Sequence, residues 1–313
     1  MGISLCMIAR DEEDYLKAAL SSVKPIVDEI IFVDTGSRDS TVEIAKQFTD
    51  KIFECPWCDD FSKARNFSIE KATQDWILVL DADEVVSGED CSKIKELVKD
   101  DTYLGYSFVQ VNYTNDASVF GYAPILKQDW YTKSFSGFIS CNIIRLFRNT
   151  PEIKFDGAVH ESVDSSIKAF GEVLKTGIKI HHYQFAKGSE VQRDKQLNYL
   201  RIYEKNIASY PNKARAYRDI GIIYYNFVGD YVKAVEAFKK SLEINSNNIK
   251  TYVGMGLSFL KMNRYDDAKN VFGVGLTVFP GNQHLKFLYD QVELISKKAK
   301  ESSYRNSAYA SAK

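Results

Sequence analysis

The segment that best indicates the fold of this chain is Trp76-Ile77-Leu78-Val79-Leu80-Asp81-Ala82-Asp83-Glu84. Its apolar run is typical of a buried parallel strand, and acidic residues follow at once. Asp81 and Asp83 are two residues apart, so their side chains point the same way if the chain stays extended there. Carboxylates crowded at a strand end favour a hard divalent cation with oxygen ligands. A polar loop after a buried strand is the ordinary alternative, and the rest of the chain has to decide between the two.

Residues 1–90 alternate apolar runs with segments of helical spacing. The apolar runs predict strands at residues 3–8, 29–33, 51–53 and 76–80. The helical spacing predicts helices at residues 11–23, 40–48 and 62–73. Ser40 and Glu43 form a capping-box pair at the start of the second helix. Strands that alternate with helices predict an α/β domain whose parallel sheet is covered on both faces.

The composition is that of an ordinary globular protein with room for two domains. The chain has 313 residues, of which 45% are hydrophobic and 27% are charged. A net charge of −1 gives no global field that would favour nucleic acid. There is no basic leader and no run of about 18 apolar residues, so we expect neither a secretory signal nor a transmembrane segment. The five cysteines are expected as reduced thiols, which favours a cytoplasmic enzyme.

The C-terminal part of the sequence contains an internal repeat. The recurring pairs are Tyr217 and Tyr252, Gly221 and Gly256, Tyr224 and Phe259, Ala234 and Ala268, and Phe238 and Phe272. This pattern resembles the tetratricopeptide repeat, whose units are helix pairs that stack side by side. We therefore predict a first domain at residues 1–188, an all-α helical repeat domain at residues 189–300, and a disordered tail at residues 301–313.

Six segments in a fixed order carry a further resemblance. They are residues 8–13 (Ile-Ala-Arg-Asp-Glu-Glu), 31–41 (Ile-Phe-Val-Asp-Thr-Gly-Ser-Arg-Asp-Ser-Thr), 59–66 (Asp-Asp-Phe-Ser-Lys-Ala-Arg-Asn), 80–84 (Leu-Asp-Ala-Asp-Glu), 145–149 (Arg-Leu-Phe-Arg-Asn) and 155–161 (Phe-Asp-Gly-Ala-Val-His-Glu). Together they resemble the family 2 glycosyltransferases, which have the GT-A fold, a Rossmann-like mixed sheet. The last two segments narrow the resemblance to the branch that contains lipooligosaccharide core β-glucosyltransferases and bacteriocin peptide S-glycosyltransferases. The peptide enzymes also carry tetratricopeptide-like repeats.

The resemblance implies a site for a UDP-sugar donor, carrying a hexose or an N-acetylhexosamine, at the carboxyl ends of the strands. Ala9 and Arg10 would border the nucleobase, and Asp34 would accept a hydrogen bond from the uracil or the ribose. The full set of donor-binding residues that it implies is Ala9, Arg10, Glu12, Asp34, Arg65, Asn66 and Asp81. Members of the family commonly have Asn-Glu where this chain has Asp11-Glu12, which leaves the role of Asp11 open.

The resemblance also implies a metal-dependent transfer with inversion. Asp81 and Asp83 would hold Mn²⁺ or Mg²⁺ on the donor diphosphate, where a cation offsets the charge that develops on the leaving oxygen. His160 would add a third metal ligand, with His182 as the second choice for that position. The acceptor must lose a proton, and Glu161 is the predicted base.

The sequence leaves the acceptor open. Stacked helix pairs form concave surfaces that suit extended chains, which favours a peptide or protein acceptor bound through the repeat domain. A glycolipid or a surface-polysaccharide precursor is the alternative, with the repeats serving in dimerisation. A non-catalytic scaffold that keeps the transferase fold is the third reading, and a homodimer is compatible with each of them.

Two further patterns are expected to be structural. Cys55-Pro56-Trp57-Cys58 is a C-x-x-C segment without a second ligand pair at a recognisable spacing, so we expect neither a zinc nor a redox role. Arg145 and Arg148 are expected to support the fold or a phosphate, with Glu152 and Asp156 as partners.

Overall fold

The computed structural model describes residues 1–117, 119, 121–132, 135–210 and 212–310. Side chains are described for these residues except Ser189, Ser209 and 297–310. The chain divides into two compact units, Met1–Gln192 and Arg193–Lys313. Within the described ranges, no helix combines the length and the apolar character that crossing a membrane requires.

The first unit is an α/β structure built on a mixed sheet. Its described strands are β1 Ile3–Ala9, β2 Glu29–Asp34, β3 Ile52–Glu54, β4 Trp76–Val79, β5 Glu84–Val86, β6 Gly105–Thr114, β7 Ala123–Pro124, β8 Gly137–Arg148 and β9 Val173–His182. Its described helices are α1 Glu13–Val23, α2 Thr41–Ala45, α3 Phe61–Ile69, α4 Gly88–Leu97 and α5 Asp164–Phe170, and a 3₁₀ helix, Gln184–Lys187, follows β9.

The strand order explains why the sheet is mixed. It runs β3-β2-β1-β4-β8-β6-β9-β5, with β7 paired to β8. The first four strands in this order are parallel, as the alternation of strands and helices predicts. Beyond them, β8 pairs antiparallel with both β4 and β6, and β5 pairs antiparallel with β9. The predicted α/β fold is confirmed, with antiparallel pairs added by the strands that come later in the chain.

Both faces of the parallel strands are covered, because successive side chains of a strand point to opposite sides. In β1, Leu5 and Met7 belong to the core cluster that includes α1, whereas Cys6 and Ile8 belong to the one that includes α3. Strands that are apolar on both faces require such double cover. Arg10, Asp34 and Asp81 lie at or just after the carboxyl ends of β1, β2 and β4, and because these strands pair in parallel the three ends form one polar edge.

The capping box predicted for the second helix does not form. Ser40 is the N-cap residue of α2, but its side chain makes no capping hydrogen bond. Instead, Asp39 accepts a hydrogen bond from the N–H of Thr41 at 3.0 Å, and Glu13 accepts one from the N–H of Ser40 at 3.0 Å. Carboxylates replace the serine hydroxyl because the loop after β1 lies next to the start of α2, which sequence spacing alone does not reveal.

The second unit is all-α. Its described helices are α6 Ser189–Asn206 (which begins before the unit boundary), the 3₁₀ helix Ile207–Ser209, α7 Lys213–Ile223, the π-helix Tyr224–Val228, α8 Tyr231–Ile244, α9 Ile249–Lys261, α10 Tyr265–Val278 and α11 Gln283–Ala310. α7 packs on α8 and α9 packs on α10, so the helix pairs follow the tetratricopeptide-like repeat. α11 includes residues 301–310, where the sequence predicts a disordered tail, and residues 311–313 lie outside the described part of the chain.

The repeat appears in the structure as one contact made twice. Gly221 of α7 faces Phe238 of α8, and Gly256 of α9 faces Phe272 of α10. A Cβ atom at Gly221 would lie 2.7 Å from the ring of Phe238, closer than real Cβ atoms come. Each helix pair therefore depends on a glycine that lets a buried phenylalanine reach the neighbouring backbone.

We expect Gly256→Ala to lower the free energy of unfolding of the second unit by about 1–3 kcal/mol, because the new methyl group overlaps the fully buried ring of Phe272. Gly273→Ala is the matched control, since a Cβ there would meet Tyr289 at an ordinary 3.4 Å. The control should leave stability unchanged or raise it by up to about 1 kcal/mol. Urea unfolding followed by far-ultraviolet circular dichroism measures both variants, and equal effects would contradict the packing argument.

Candidate active site

The connection between β4 and β5 brings the acidic residues of the opening segment into contact with several strands. β4 ends at Val79 and β5 begins at Glu84, yet β8, β6 and β9 lie between them in the sheet. Residues 80–83 therefore lead from one side of these three strands to the other, and a turn within them is closed by a hydrogen bond from the N–H of Glu84 to the carbonyl oxygen of Asp81 at 3.0 Å. The side chains that the three strands supply around this connection are Arg145 from β8, Gln110 and Asn112 from β6, and His182 from β9.

Asp81 is held by two buried arginines. Its Oδ1 pairs with Nη2 of Arg65, and its Oδ2 accepts a hydrogen bond from Nη2 of Arg145 at 2.9 Å. Both arginine side chains are only 5% exposed. Burial by itself would raise the pKa of Asp81, but the charges of Arg145 and Arg65 outweigh it and hold that pKa well below its usual value. Asp81 is therefore a carboxylate at neutral pH.

Arg65 also connects Asp81 to the predicted base. Its Nε donates a hydrogen bond to Oε1 of Glu161 at 3.0 Å, and the Glu161 side chain is 13% exposed. Three predicted site residues from distant parts of the sequence thus form one network. The catalytic role of Glu161 stays a prediction.

Asp83 lies between a histidine and a lysine. Its Oδ1 is 3.2 Å from Nε2 of His182, and its Oδ2 is 2.8 Å from Nζ of Lys187. Asp81, Asp83 and His182 each offer one ligand atom, and these atoms lie within 4.8 Å of one another. Two carboxylates and an imidazole are a donor set that suits a divalent cation such as Mn²⁺. The residues present thus fit the metal ion that the family resemblance implies.

A contact on the far side of the ring orients His182. Its Nδ1 lies 2.7 Å from Oδ1 of Asn112. An amide oxygen only accepts hydrogen bonds, so Nδ1 carries the proton and Nε2 is directed at Asp83. Metal-binding histidines are usually fixed in this way through their second nitrogen. Burial would lower the pKa of His182, but the hydrogen bond and charge of Asp83 outweigh it and raise that pKa above its ordinary value.

His182, and not the favoured His160, completes this group. Among the described residues the group does not include His160, which is exposed and has a positive φ of 52°. The physical reason is the pairing of β9 with β5, which sets His182 opposite Glu84, the residue that follows Asp83. The two strands are far apart in the chain, so the sequence gives little sign that they pair.

Lys187 is a residue of this site that the sequence did not single out. Its Nζ lies 2.6 and 2.7 Å from the two carboxylate oxygens of Glu12, in addition to its contact with Asp83. Burial would lower the pKa of Lys187, but the charges of Asp83 and Glu12 outweigh it and raise that pKa. The lysine ammonium therefore connects a predicted donor-binding residue with a candidate metal ligand.

Arg145 has other partners than the sequence suggested. In place of Glu152 and Asp156 it pairs with Asp81 and with Glu84, whose Oε1 lies 2.6 Å from Nη2 of Arg145. The pairing of β8 with β6 shifts register at Arg145, so the alternation of side chains along a regular strand could not have shown where this residue points.

Arg148 stabilises the periphery of the sheet. It pairs with the exposed Asp101, and its guanidinium carbon lies 4.2 Å from the centre of the Trp76 ring. These contacts are separate from the buried network of Asp81 and Glu84.

The predicted nucleotide-binding residues Ala9 and Asp34 lie side by side at the ends of β1 and β2. Both are buried. The carboxylate of Asp34 accepts hydrogen bonds from the N–H groups of Gly36 and Ser37, at 3.0 and 3.1 Å for Oδ2. Asp34 thus shapes the turn after β2, and its contact with a nucleotide stays a prediction.

Asp11, whose role the sequence left open, joins two loops at this edge. It has a positive φ of 54°, and its Oδ1 accepts a hydrogen bond from the N–H of Arg38 at 2.7 Å. Its own N–H donates to Oγ of Ser37 at 3.1 Å. The exposed Arg10 lies beside it, with Nε 3.5 Å from Oδ2 of Asp11. Asp11 therefore links the turns that follow β1 and β2.

Asn66 fastens the segment that leads to Glu161. Its amide donates to the carbonyl oxygen of Phe155 at 3.0 Å and accepts from the N–H of the same residue at 2.9 Å. Both hydrogen-bonding functions of the amide are thus used on the backbone. Its predicted part in donor binding stays a prediction.

The C-x-x-C segment forms no disulfide in the described structure. Cys55 is half-buried and Cys58 is exposed, and both are free thiols. Between them, Nε1 of Trp57 donates to Oδ1 of Asp59 at 3.1 Å, and its ring packs on Phe61. These contacts order the loop between β3 and α3.

The buried His181 should make the metal-free protein sensitive to mild acid. Burial lowers its pKa from 6.5 to about 4. A group of this kind stabilises the folded state fully above pH 6.5 and loses that contribution as the pH falls towards 4. From pH 7.5 to pH 5 we expect a loss of about 2 kcal/mol, at about 1.4 kcal/mol for each pH unit below 6.5.

His181→Asn provides the comparison for this measurement. An asparagine can still meet the hydroxyl of Tyr113, which lies 2.6 Å from Nδ1 of His181. Urea unfolding at both pH values should show a smaller loss in the variant. His182, whose pKa shifts in the opposite direction, is present in both proteins and cancels from the comparison. The same loss in both proteins would contradict the assignment to His181.

Comparison with known proteins gives the chain a family context. Residues 4–150 match the family model described as glycosyl transferase family 2. This range contains Asp81, Asp83 and Arg145, whereas His182 and Lys187 lie beyond it.

Curated relatives match over parts of their length. A TPR repeat-containing protein of Synechococcus elongatus is 35% identical over 220 residues, which cover 68% of this chain and 49% of that protein. The SPbeta prophage-derived glycosyltransferase SunS of Bacillus subtilis is 28% identical over 252 residues, which cover 80% of this chain and 54% of SunS. An uncharacterized glycosyltransferase of Rickettsia typhi is 35% identical over 188 residues, which cover 58% of this chain and 60% of that protein. The chain thus spans about half the length of the first two relatives.

A solved structure of S. aureus TarS 1–349 in complex with UDP aligns with 90% of this chain and 92% of that chain. The sequence identity is 13% and the TM-score is 0.47, a similarity from which no function follows.

Proposed function

Through residues 4–150 this chain belongs to glycosyl transferase family 2, and from that membership we propose that it is a metal-dependent, inverting glycosyltransferase. The donor is a UDP-sugar that carries a hexose or an N-acetylhexosamine. The acceptor is a peptide or a protein. A glycolipid or polysaccharide precursor is the alternative that an acceptor assay has to distinguish.

The observation that carries the proposal is the group formed by Asp81, Asp83 and His182. Their ligand atoms lie within 4.8 Å of one another at the end of β4, inside an α/β unit of this family. In open α/β sheets, ligands bind at the carboxyl ends of the strands. A divalent cation held there would offset the negative charge that develops on a diphosphate leaving group.

The residues of the chain itself have distinct tasks in this proposal. Asp83 and His182 hold the cation, and Asn112 keeps the proton on Nδ1 of His182 so that Nε2 remains a ligand. Glu161 takes the proton of the acceptor nucleophile. Arg65 hydrogen-bonds to both Glu161 and Asp81, which keeps the base at a fixed place relative to the metal-binding end of the site.

The repeat unit supports a peptide or protein as the acceptor. Its helix pairs α7/α8 and α9/α10 are of the tetratricopeptide-like kind, and stacked pairs of this kind form extended binding surfaces. One of the relatives is itself named for TPR repeats. The proposal therefore assigns acceptor binding to the second unit and the chemistry to the first.

The test is a panel of nucleotide sugars, assayed for hydrolysis of the donor and for a rise in the melting temperature with and without Mn²⁺. We expect at least one UDP-sugar to be hydrolysed, and hydrolysis to stop when the cation is chelated. No response to any UDP-sugar would overturn the proposal. Peptides and lipid extracts offered with the active donor, followed by mass spectrometry, then separate the two acceptor classes.

A further inference from the structure

We propose that Lys187 is a built-in competitor of the divalent cation at Asp83, and that it keeps metal affinity low until the cation displaces its ammonium. The inference rests on the proposed function, because it concerns how the same site is regulated.

The position of Lys187 is the first step. Its Nζ lies 2.8 Å from Oδ2 of Asp83, an oxygen of the candidate metal group. The side chains of Lys187 and Asp83 are only 18% and 6% exposed, so water screens the contact weakly. An ammonium and a divalent cation that share one carboxylate repel each other, and each must weaken the binding of the other.

Glu12 offers the ammonium of Lys187 a second carboxylate partner. Nζ of Lys187 is already 2.6 and 2.7 Å from the two oxygens of Glu12. When a cation takes Asp83, Lys187 keeps this partner and remains paired. Displacement therefore needs a small movement of one side chain and leaves no buried charge without a partner.

The backbone segment that leads to Lys187 is attached to Asp83. The short helix Gln184–Lys187 begins two residues after His182 and is followed by Gly188, which has a positive φ of 86°. The N–H of Tyr183 donates to the carbonyl oxygen of Asp83 at 3.1 Å, so the segment is fastened to the residue whose side chain Lys187 holds. Movement of the ammonium is thus confined to the flexible lysine side chain, while the backbone around it stays attached.

Binding of Mn²⁺ tests the inference without any turnover. Full-length Lys187→Gln is titrated with Mn²⁺, and the free ion is followed by electron paramagnetic resonance. We expect about tenfold tighter binding than in the wild type, since one adjacent positive charge is gone. A residue that merely supported the fold would give weaker binding when it is replaced.

Two further variants control for charge and folding. Lys187→Arg keeps the cation and should bind Mn²⁺ within about twofold of the wild type. Lys179→Gln removes an exposed lysine of β9 and should also leave the affinity unchanged. Thermal unfolding of each variant shows whether it is folded at the titration temperature.

Affinity of Lys187→Gln for Mn²⁺ that is equal to or lower than that of the wild type would overturn the inference. Absence of Mn²⁺ binding in every variant would overturn it as well. UDP binding is measured on the same samples. Unchanged Mn²⁺ affinity in a variant that binds UDP overturns the role of Lys187 alone, whereas absence of both Mn²⁺ and UDP binding counts against the proposed function as well.

Discussion

Asp83→Asn should lower kcat/KM for the active UDP-sugar by about a thousandfold, because a metal-binding carboxylate supplies several kcal/mol of charge stabilisation to the leaving group. Both the rate of the reaction and the affinity for Mn²⁺ should fall, since Asp83 belongs to the group that includes Asp81 and His182. Initial rates with saturating acceptor, and Mn²⁺ titration of the same sample, measure the two effects.

Asp83 is a cleaner position for this experiment than Asp81. Both oxygens of Asp81 are engaged by Arg65 and Arg145, so its replacement would remove one carboxylate partner from each of two buried guanidinium groups. Asp50→Asn, an exposed Asp-to-Asn change outside the site, is the matched control and should keep full activity. If the Asp83→Asn enzyme kept more than about a tenth of the wild-type activity, the carboxylate of Asp83 would not be a metal ligand on which the reaction depends.

Arg145→Met should lower the free energy of unfolding of the first unit by about 3–5 kcal/mol, the usual cost of removing one member of a buried ion pair. Glu84, which is 0% exposed, would lose its closest cation, and Asp81 would lose one of two. Urea unfolding followed by tryptophan fluorescence reports on this unit, which contains all three tryptophans of the chain.

Arg148→Met is the control for this prediction, because it lies on the same strand and removes the same charge. Its partner Asp101 is 72% exposed, so we expect a loss of about 1 kcal/mol, most of it from packing against Trp76. Adding Glu84→Gln to Arg145→Met should recover part of the stability, because it removes the carboxylate that was left unpaired. Equal losses in the two arginine variants would contradict the assignment of Arg145 to a buried network.

The sequence revealed those features of the fold that depend on neighbouring residues. The apolar run of residues 76–80 predicted β4, and the spacing of Gly221, Gly256 and their phenylalanines predicted the repeat. The same local patterns did not reveal antiparallel pairing, because the partners of β8 and β9 are set by contacts between distant segments.

In the candidate site, too, the sequence revealed what depends on neighbouring residues and not what depends on contacts between distant segments. Asp81 and Asp83 are recognisable because they follow a buried strand, and the structure pairs Arg65 with both Asp81 and Glu161. His182 and Lys187 could not be ranked from spacing, since their place depends on the pairing of β9 with β5. The structure places His182, and not His160, in the group with Asp81 and Asp83, because adjacency to Glu161 in sequence says nothing about distance from Asp83.

The short connection between β4 and β5 has a consequence for how proteins of this kind can vary in length. Residues 80–83 connect β4 to β5 through a turn in which the N–H of Glu84 donates to the carbonyl oxygen of Asp81 at 3.0 Å, and their side chains contact β8 and β9. One inserted or deleted residue would shift the carboxylates relative to β8 and β9 and separate them from Arg145 and His182. Insertions and deletions should therefore accumulate elsewhere, in loops such as the one between α4 and β6, while this four-residue connection keeps its length.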